Sequence, residues 1–361
     1  MNYGTENIKE RKIRLLIPKD SERNLSKKDP VFYNPAAKIN RELTIAFLKS
    51  VKINSALDLL SASGAMGLNL AKEIPNCKVY LNDKNPEAVK LIKKNIKKNK
   101  IKNAEVSNKS ANKLLEEIKK VDYIDIDPFG PPVPFLDNAV TKTKKYLAIT
   151  STDTSALSGT YPKACLRKYN SMPLKNEFMH ETGLRILIKR AQEIGLKHDV
   201  GLIPLFSFHF ERYSRTILKV EKDLKKIREN LGYICYCNNC LWSGSSKRRR
   251  KVCPKCKGQL KIAGKLWIGN LWDKKIINKM LNQELSPVSK KIVERIKNEE
   301  KLNSIGFYDV HKICKKLKRE VPKTKTILQN LKNNKIKACR THLSDKGIKT
   351  NKKIKIEDLF F

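Results

Sequence analysis

The chain has 361 residues, of which 77 are lysine or arginine and 36 are aspartate or glutamate, so its formal net charge is +41 at pH 7. This length exceeds what one domain usually needs, and this charge predicts a polyanionic partner, with nucleic acid as the default. No apolar run approaches the roughly 20 residues that span a bilayer, and the N-terminus lacks the apolar core of a signal peptide, so we expect a cytoplasmic protein that has no membrane partner.

Segments typical of strands and helices alternate along the chain as far as about residue 220. We predict strands at residues 55–60, 78–81, 104–106, 123–126, 146–149, 200–206 and 216–220. We predict helices at residues 41–49, 86–99, 111–119 and 177–193, and another after the loop at 61–67. Such alternation is typical of an α/β fold in which helices cover both faces of a parallel sheet.

Composition divides the chain into four parts. We assign the α/β domain to residues 31–222. Residues 1–30 form a basic N-terminal extension that we expect to be mostly irregular, apart from a short strand at 15–17. A cysteine-rich segment covers residues 223–272, and a basic, largely helical region covers residues 273–361.

A loop of small residues, Ser61-Ala-Ser-Gly-Ala-Met-Gly67, follows the first strand of the α/β domain. Small residues let a ligand lie against the backbone. The stretch from Asp58 to Gly67 resembles motif I of S-adenosylmethionine-dependent methyltransferases, not the dinucleotide fingerprint. We therefore expect the cofactor to contact Asp58, Ser61, Gly64 and Met66.

Two later strands end in residues that suit the same ligand. Asp83, at the end of the second strand, can accept hydrogen bonds from both ribose hydroxyls, as acids do at this position in nucleotide-binding α/β folds. Ser110 and Ala111, after the third strand, are expected to border the adenine. Taken alone, the loop and the acid are equally compatible with an ordinary glycine turn and a surface aspartate.

The fourth strand, Tyr123-Ile-Asp-Ile126, leads into Asp127-Pro128-Phe129-Gly130. The carboxyl ends of parallel strands are where open α/β sheets hold their ligands. Asp127, assisted by the Pro128 carbonyl, can accept hydrogen bonds from an exocyclic amine, and Phe129 can stack on a planar ring. Asp125 points to the same face as Asp127, where it either raises the pKa of its neighbour or hydrogen-bonds to a nearby loop.

Four cysteines have the spacing C-x2-C-x12-C-x2-C: Cys237, Cys240, Cys253 and Cys256. Four thiolates in a reducing compartment predict a tetrahedral Zn²⁺ site that is structural, because it has no open position for catalysis. The other five cysteines have no pairing pattern, and we interpret them as packing thiols.

Between the two cysteine pairs lies a basic run formed by Lys247, Arg248, Arg249, Arg250 and Lys251. Because it is tethered at both ends, this run can bind phosphates; the alternative is a solvated run of charges. In the C-terminal region, helices at 290–300, 308–319 and 323–332 and a strand at 336–341 suggest a small winged-helix-like domain.

Taken together, these stretches and several others resemble a known family, the archaeal tRNA (guanine(26)-N2)-dimethyltransferases. The matching stretches occur in family order from about residue 30 to 345, and together they are far more specific than any one of them. They are Phe32-Tyr-Asn-Pro35, Asn40-Arg41, Asp58-Leu-Leu-Ser-Ala-Ser-Gly64, Asp127-Pro-Phe-Gly130, Gly159-Thr-Tyr-Pro-Lys-Ala-Cys-Leu-Arg-Lys-Tyr169, His180-Glu-Thr-Gly-Leu-Arg185, Gly264-Lys-Leu-Trp-Ile-Gly269 and Arg340-Thr-His342.

The resemblance implies a class I, Rossmann-like methyltransferase domain that transfers methyl groups from S-adenosyl-L-methionine to N2 of guanosine 26 in tRNA, twice in succession. It implies that Arg41 pairs with the methionyl carboxylate of the cofactor. Reaching this base requires its removal from the stack, and Phe32, Tyr33 and Phe129 are candidates to receive it, with core packing the alternative for the first two. We expect a monomer. The chain departs from the family where motif I usually has arginines, because Met66 and Asn69 occupy those places.

Two other functions compete with this one. A methyltransferase acting on another amine, such as adenine N6, usually has Asn-Pro-Pro-Tyr or Asp-Pro-Pro-Tyr where this chain has Asp127-Pro-Phe-Gly130. A non-catalytic RNA-binding protein with a degenerate cofactor site is supported only by Met66. Methyl transfer to tRNA with guanosine or adenosine at position 26 distinguishes all three.

Overall fold

The N-terminal residues form a hairpin and not the irregular extension that their charge suggests. A computed structural model of the chain describes residues 3–19, 21, 29–354 and 356–359. In it β1 (Thr5–Glu10) pairs antiparallel with β2 (Ile13–Pro18). Ile13, Leu15 and Ile17 alternate into the core with at most 1% exposure. The expectation of a mostly irregular segment was therefore wrong for this stretch. Most of the remaining residues of 1–30 lie outside the part of the chain that the structure describes.

A seven-stranded sheet forms the centre of the α/β domain. Its strands are β3 (Ser55–Asp58), β4 (Lys78–Asn82), β5 (Ala104–Ser107), β6 (Val121–Ile126), β7 (Thr143–Ser151), β8 (Gly201–Phe210) and β9 (Tyr213–Glu221). The order is β5-β4-β3-β6-β7-β9-β8, and β9 alone runs in the opposite direction to the other six strands. All six residues of β6 are buried, as expected for the central strand of a parallel sheet.

Eight helices belong to this domain: α1 (Lys38–Lys49), α2 (Ala65–Glu73), α3 (Pro86–Lys98), α4 (Ala111–Glu117), α5 (Val133–Lys142), α6 (Thr154–Leu157), α7 (Pro162–Tyr169) and α8 (Met179–Lys197). The sequence pattern predicted five of them and missed α5, α6 and α7. Helix α6 is a single turn. Helix α7 begins at Pro162, and α5 has Pro132 at its N-cap and Pro134 in its first turn. The first turn of a helix tolerates proline, although proline usually signals a break.

The cysteine-rich segment forms a separate small sheet. After α9 (Leu224–Glu229), the antiparallel strands β10 (Leu231–Tyr236), β11 (Ser243–Ser246) and β12 (Lys261–Trp267) pair in the order β11-β10-β12. This is the zinc-ribbon arrangement that the cysteine spacing predicts.

The C-terminal region combines four helices with a three-stranded antiparallel sheet in the order β13-β15-β14. Its elements are α10 (Lys274–Leu281), α11 (Pro287–Glu300), β13 (Tyr308–Asp309), α12 (Val310–Leu317), α13 (Thr324–Asn333), β14 (Ala338–Arg340) and β15 (Gly347–Thr350). The order of two helices followed by two strands fits the predicted winged-helix-like domain. Across the described part of the chain, no helix combines the length and apolar character needed to cross a bilayer.

Buried charges join this region to the α/β domain. The Lys349 ammonium lies 2.9 Å from a Glu181 carboxylate oxygen on α8 and 3.5 Å from Glu299 on α11, and all three side chains are fully buried. Lys349 and Arg185 hold the pKa of Glu181 at about 2, against the opposing effect of burial. Because buried charges of this kind need their partners, the contact fixes the C-terminal region on helix α8 of the α/β domain.

Candidate active site

Three aspartates meet at one edge of the sheet. Asp58 ends β3, Asp83 follows β4 directly, and Asp127 follows β6 directly. These strands are parallel neighbours, so their carboxyl ends lie together. The sequence pattern predicted this convergence, and the structure brings the three residues to the same edge.

The small-residue loop makes a tight turn against Asp83. Gly64 adopts φ +81° and donates its N–H to the Ser61 carbonyl at 2.7 Å, a conformation that favours glycine. The N–H of Ala62 donates to Asp83 Oδ2 at 2.8 Å, which ties the loop to the end of β4. The loop and the acid predicted from different parts of the sequence therefore form one unit.

Asp58 is hydrogen-bonded to the first turn of α2. Its Oδ2 accepts the N–H of Gly67 at 2.9 Å. Burial raises the pKa of Asp58 to about 8, and the charge of Asp125 adds to the rise. Asp58 is thus a buried anchor of the loop and, at 6% exposure, presents little of itself to a ligand.

The donor set of this edge fits S-adenosylmethionine. Asp83 is only partly buried, and each of its oxygens accepts one N–H, Oδ1 from Asn85 at 2.9 Å and Oδ2 from Ala62, so each keeps a lone pair for a ribose hydroxyl. Ser110 is exposed and Ala111 buried at the start of α4, beyond the neighbouring strand β5. Met66, in the first turn of α2, is 9% exposed.

Arg41 lies in a buried cluster that the sequence did not predict. Its Nε and Nη2 contact the two carboxylate oxygens of Glu10 at 2.5 and 2.7 Å. Tyr33 donates its hydroxyl to Glu10 at 2.8 Å, and the Asn69 amide donates to the same carboxylate at 3.2 Å. One edge of the Arg41 guanidinium is therefore engaged by the N-terminal hairpin, and the contact with a cofactor carboxylate stays a prediction. Glu10 was missed because residues 1–30 were expected to be irregular.

The Asp127 carboxylate is partly buried, and its Oδ2 accepts a hydrogen bond from the Asn40 amide at 3.0 Å. Burial raises the pKa of Asp127 to about 6; Asp125 adds to the rise, while Arg215 and Arg41 oppose it. A neutral amide as the direct partner leaves the carboxylate with spare acceptor capacity. Asn40 stands beside Arg41 in a motif already noted in the sequence, and that position was the signal for it.

A fully buried ion pair lies beneath Asp127. Arg215 on β9 contacts Asp125 Oδ1 at 3.0 Å and Oδ2 at 2.6 Å, and it also donates to the Thr150 hydroxyl at 2.6 Å. Asp125 was expected to bond to a loop, but its partner is Arg215 on strand β9. As expected, the charge of Asp125 raises the pKa of Asp127. A basic residue inside the apolar stretch of β9 was the available sequence signal for Arg215.

Two phenylalanines flank Asp127 at the surface. The Phe129 ring is 61% exposed, and its centroid lies 4.3 Å from that of Phe32 at an interplanar angle of 65°. Gly130, with φ +86°, donates its N–H to the Thr152 hydroxyl at 2.7 Å, which fixes the loop to the end of β7. Tyr33, in contrast, is 1% exposed and bound to Glu10. Core packing, and not base stacking, accounts for Tyr33.

The four cysteines of the ribbon converge. Their Sγ atoms all lie within 4.8 Å of one another, with Cys237 to Cys256 at 3.4 Å and Cys240 to Cys253 at 3.6 Å. A tetrahedral Zn²⁺ with Zn–S bonds of about 2.3 Å places its sulfurs roughly 3.8 Å apart. The thiolates therefore fit a structural zinc ion.

The basic run of residues 247–251 lies on the surface between β11 and Cys253, with all five side chains exposed. The Arg249 guanidinium lies 5.4 Å from the centre of the Tyr233 ring, which supports the base of the loop. The run is available to a polyanion.

Comparisons with known proteins agree over nearly the whole chain. Residues 5–358 match the family model for N2,N2-dimethylguanosine tRNA methyltransferase. The chain is 38% identical over 365 residues to a tRNA (guanine(26)-N(2))-dimethyltransferase of Methanococcus maripaludis, covering 95% of this chain and 94% of that one. It is 35% identical over 370 residues to the tRNA (guanine(26)-N(2)/guanine(27)-N(2))-dimethyltransferase of Aquifex aeolicus, covering 96% and 93%. Its fold resembles Trm1 from Pyrococcus horikoshii in complex with S-adenosyl-L-methionine, with a TM-score of 0.87, 31% identity and 98% coverage of both chains.

Proposed function

Because the chain belongs to the N2,N2-dimethylguanosine tRNA methyltransferase family, we propose that Asp127 is the residue that presents the amino group of the target guanosine for methylation. The protein is an S-adenosylmethionine-dependent tRNA (guanine-N2)-dimethyltransferase, and guanosine 26 is the target that we assign to it. The observation that supports this role best is the position of Asp127 at the carboxyl edge of the sheet, the edge that also holds Asp83, two residues before the exposed Phe129.

S-adenosylmethionine supplies a strongly electrophilic methyl group, so the protein's main task is to place guanine N2 correctly. The N2 lone pair is delocalised into the ring, which makes N2 a poor nucleophile. When Asp127, assisted by the Pro128 carbonyl, accepts hydrogen bonds from the amino protons, it turns the lone pair toward the methyl group. Asn40 holds the carboxylate in place for this through its 3.0 Å hydrogen bond.

Asp127 also stabilises the charge that forms during transfer. N2 becomes positive as it gains the methyl group, and an adjacent fixed carboxylate lowers the energy of that state. A carboxyl group whose pKa is about 6 is able to receive the proton that N2 then gives up. Monomethylated N2 keeps one proton, so one hydrogen bond to Asp127 survives and a second transfer follows by the same route.

The aromatic pair of the exposed Phe129 and the partly buried Phe32 suits a base taken out of the RNA stack. Extrusion costs a few kcal/mol, and stacking on aromatic rings offsets part of that cost. Phe129 is the more accessible of the two rings, and Phe32 lies against it at 4.3 Å. We assign guanine stacking to Phe129, with Phe32 holding that ring in place.

Residues remote from the sheet edge bind the rest of the tRNA. The exposed run 247–251 contacts phosphates, and the C-terminal domain (273–361), fixed to α8 through Lys349, sets the distance from the tRNA body to the target base. Arg41 directs its remaining donors to the methionyl carboxylate, Zn²⁺ holds the ribbon (223–272) together, and the enzyme acts as a monomer in the cytoplasm.

The test is labelled methyl transfer to a tRNA transcript by wild-type protein and by Asp127→Asn. We expect the variant to lose transfer by roughly 10²- to 10³-fold, the range seen when one stabilising group is removed, while tRNA binding persists. Asp345→Asn, a change of the same kind at an exposed carboxylate, controls for charge. Near-normal turnover by Asp127→Asn contradicts the assigned role.

The base at position 26 decides the substrate. Transfer that disappears when guanosine 26 is replaced by adenosine supports the assignment, and mass spectrometry of the nucleosides gives the proportions of mono- and dimethylguanosine. Transfer that persists identifies another target, such as guanosine 27. Binding without any transfer by wild-type protein indicates a non-catalytic RNA-binding protein.

A further inference from the structure

Tyr213 has a buried hydroxyl that does nothing for the fold. The side chain is 7% exposed, and its ring is held edge-on by Phe208, with centroids 5.9 Å apart, and by Phe210 at 6.2 Å. Within the residues that the structure describes, the hydroxyl oxygen has no hydrogen-bond partner. Since buried polar groups are nearly always paired, an unpaired one needs an explanation, and a role in the reaction is one of the few.

The sheet places Tyr213 at the same edge as Asp127, with β7 between their strands. Tyr213 begins β9, and the next residue, Ser214, pairs with Ser151 at the end of β7, so Tyr213 lies at the same carboxyl edge as Asp127. Side chains two residues apart on a strand share a face. Arg215 contacts Asp125. Tyr213 lies two residues from Arg215 along β9, and Asp127 lies two residues from Asp125, both in the direction of the carboxyl edge.

The electrostatics agree with this placement. Burial raises the pKa of Tyr213, and the charge of Asp127 is the next cause of the rise. The positive charges of Arg215 and Arg41 oppose it. The phenol thus stays a neutral hydrogen-bond donor at neutral pH.

We propose that Tyr213 binds the substrate, donating its hydroxyl hydrogen to O6 of the guanine whose amino group Asp127 holds. This inference rests on the proposed role of Asp127. In guanine, the N2 amino group, N1–H and O6 lie along one edge of the ring. A carboxylate accepts from the two donors, which leaves O6 as the acceptor on that edge. Asp127 and Tyr213 together offer the acceptor and the donor that this edge requires.

The first experiment compares two matched tyrosine variants. Tyr213→Phe removes a hydroxyl that makes no hydrogen bond within the described part of the chain, so we expect an unchanged or higher Tm. We expect kcat/KM for tRNA to fall roughly tenfold, as for one lost hydrogen bond to the substrate. The hydroxyl of Tyr236 instead contacts Glu177 and Lys312, both at 2.9 Å, remote from Asp127. We therefore expect Tyr236→Phe to lower Tm and to leave kcat/KM unchanged at a temperature where the variant is folded.

The second experiment identifies the atom that Tyr213 contacts. A tRNA with 6-thioguanosine at position 26 keeps N1–H and the amino group but replaces O6 with sulfur, a weak acceptor. If the hydroxyl binds O6, the defects from Tyr213→Phe and from 6-thioguanosine do not add, because both remove the same interaction.

Three results overturn the inference: wild-type kcat/KM for Tyr213→Phe, a loss of Tm that accompanies the loss of activity, or fully additive defects with 6-thioguanosine. The proposed function fails separately, if wild-type protein transfers no methyl group to unmodified tRNA or if Asp127→Asn remains active.

Discussion

Replacing Arg215 with methionine tests whether the buried pair with Asp125 supports the active site. Both side chains are at most 1% exposed, and Arg215 makes contacts with β6 and β7 through Asp125 and Thr150. Arg215→Met keeps the volume but leaves the Asp125 carboxylate buried without its partner. Removing one member of a buried pair costs about 3–5 kcal/mol, a large share of the roughly 5–15 kcal/mol by which a typical native protein is stable.

The assay is urea unfolding at pH 7, followed by far-UV circular dichroism, for wild type, Arg215→Met, Asp125→Asn and the double variant. We expect the midpoint for Arg215→Met to fall sharply with the slope unchanged. The double variant should recover much of the loss, because it buries no unpaired charge. A loss below about 1 kcal/mol for Arg215→Met, or a double variant less stable than both single ones, would refute the reasoning.

Three further predictions concern the site and its surroundings. The pKa of Asp127 is about 6, and the ionised form of its side chain is the form that accepts the amino protons. We therefore expect kcat/KM to fall as the pH drops through about 6; a flat profile from pH 5 to 8 contradicts this. Replacing the five basic residues at 247–251 with glutamine should weaken tRNA binding and lower the slope of log affinity against log salt by about 0.7–0.9 per lost phosphate contact; an unchanged slope means that the run contacts no phosphate. Removing zinc with a chelator should lower Tm and disorder the ribbon, and an unaltered Tm would show that the thiols hold no structural metal.

Local patterns were enough to predict the parts of the site that are close in sequence. The apolar strand before Asp127, the glycine-containing turn at Gly64 and the acid that ends β4 are each readable within about ten residues. Parallel topology then brings their ends to one edge without further information. The cysteine spacing likewise predicted the convergence of four thiols, since two C-x2-C pairs are a local feature.

The contacts that the sequence did not disclose join distant segments. Glu10 meets Arg41 across 31 positions, and Arg215 meets Asp125 across 90. Charge patterns alone assign such residues to the surface, because charged side chains are rarely buried without partners. Apart from the predicted strand at 15–17, the hairpin of residues 5–18 was missed for the same reason: its charges hide the alternation of Ile13, Leu15 and Ile17 into the core.

The same long-range contacts support the proposed choice between two neighbouring acids. Asp125 and Asp127 are two residues apart on one face of the strand, so strand alternation by itself does not separate their roles. Arg215 occupies both oxygens of Asp125, so that carboxylate is committed to the fold. The Asp127 carboxylate has neutral hydrogen-bond partners, the Asn40 amide and the Thr150 hydroxyl, stays partly exposed and has its pKa raised by burial to about 6. Two carboxylates whose environments differ in this way take different roles, and the one without a cationic partner is free to bind an amine.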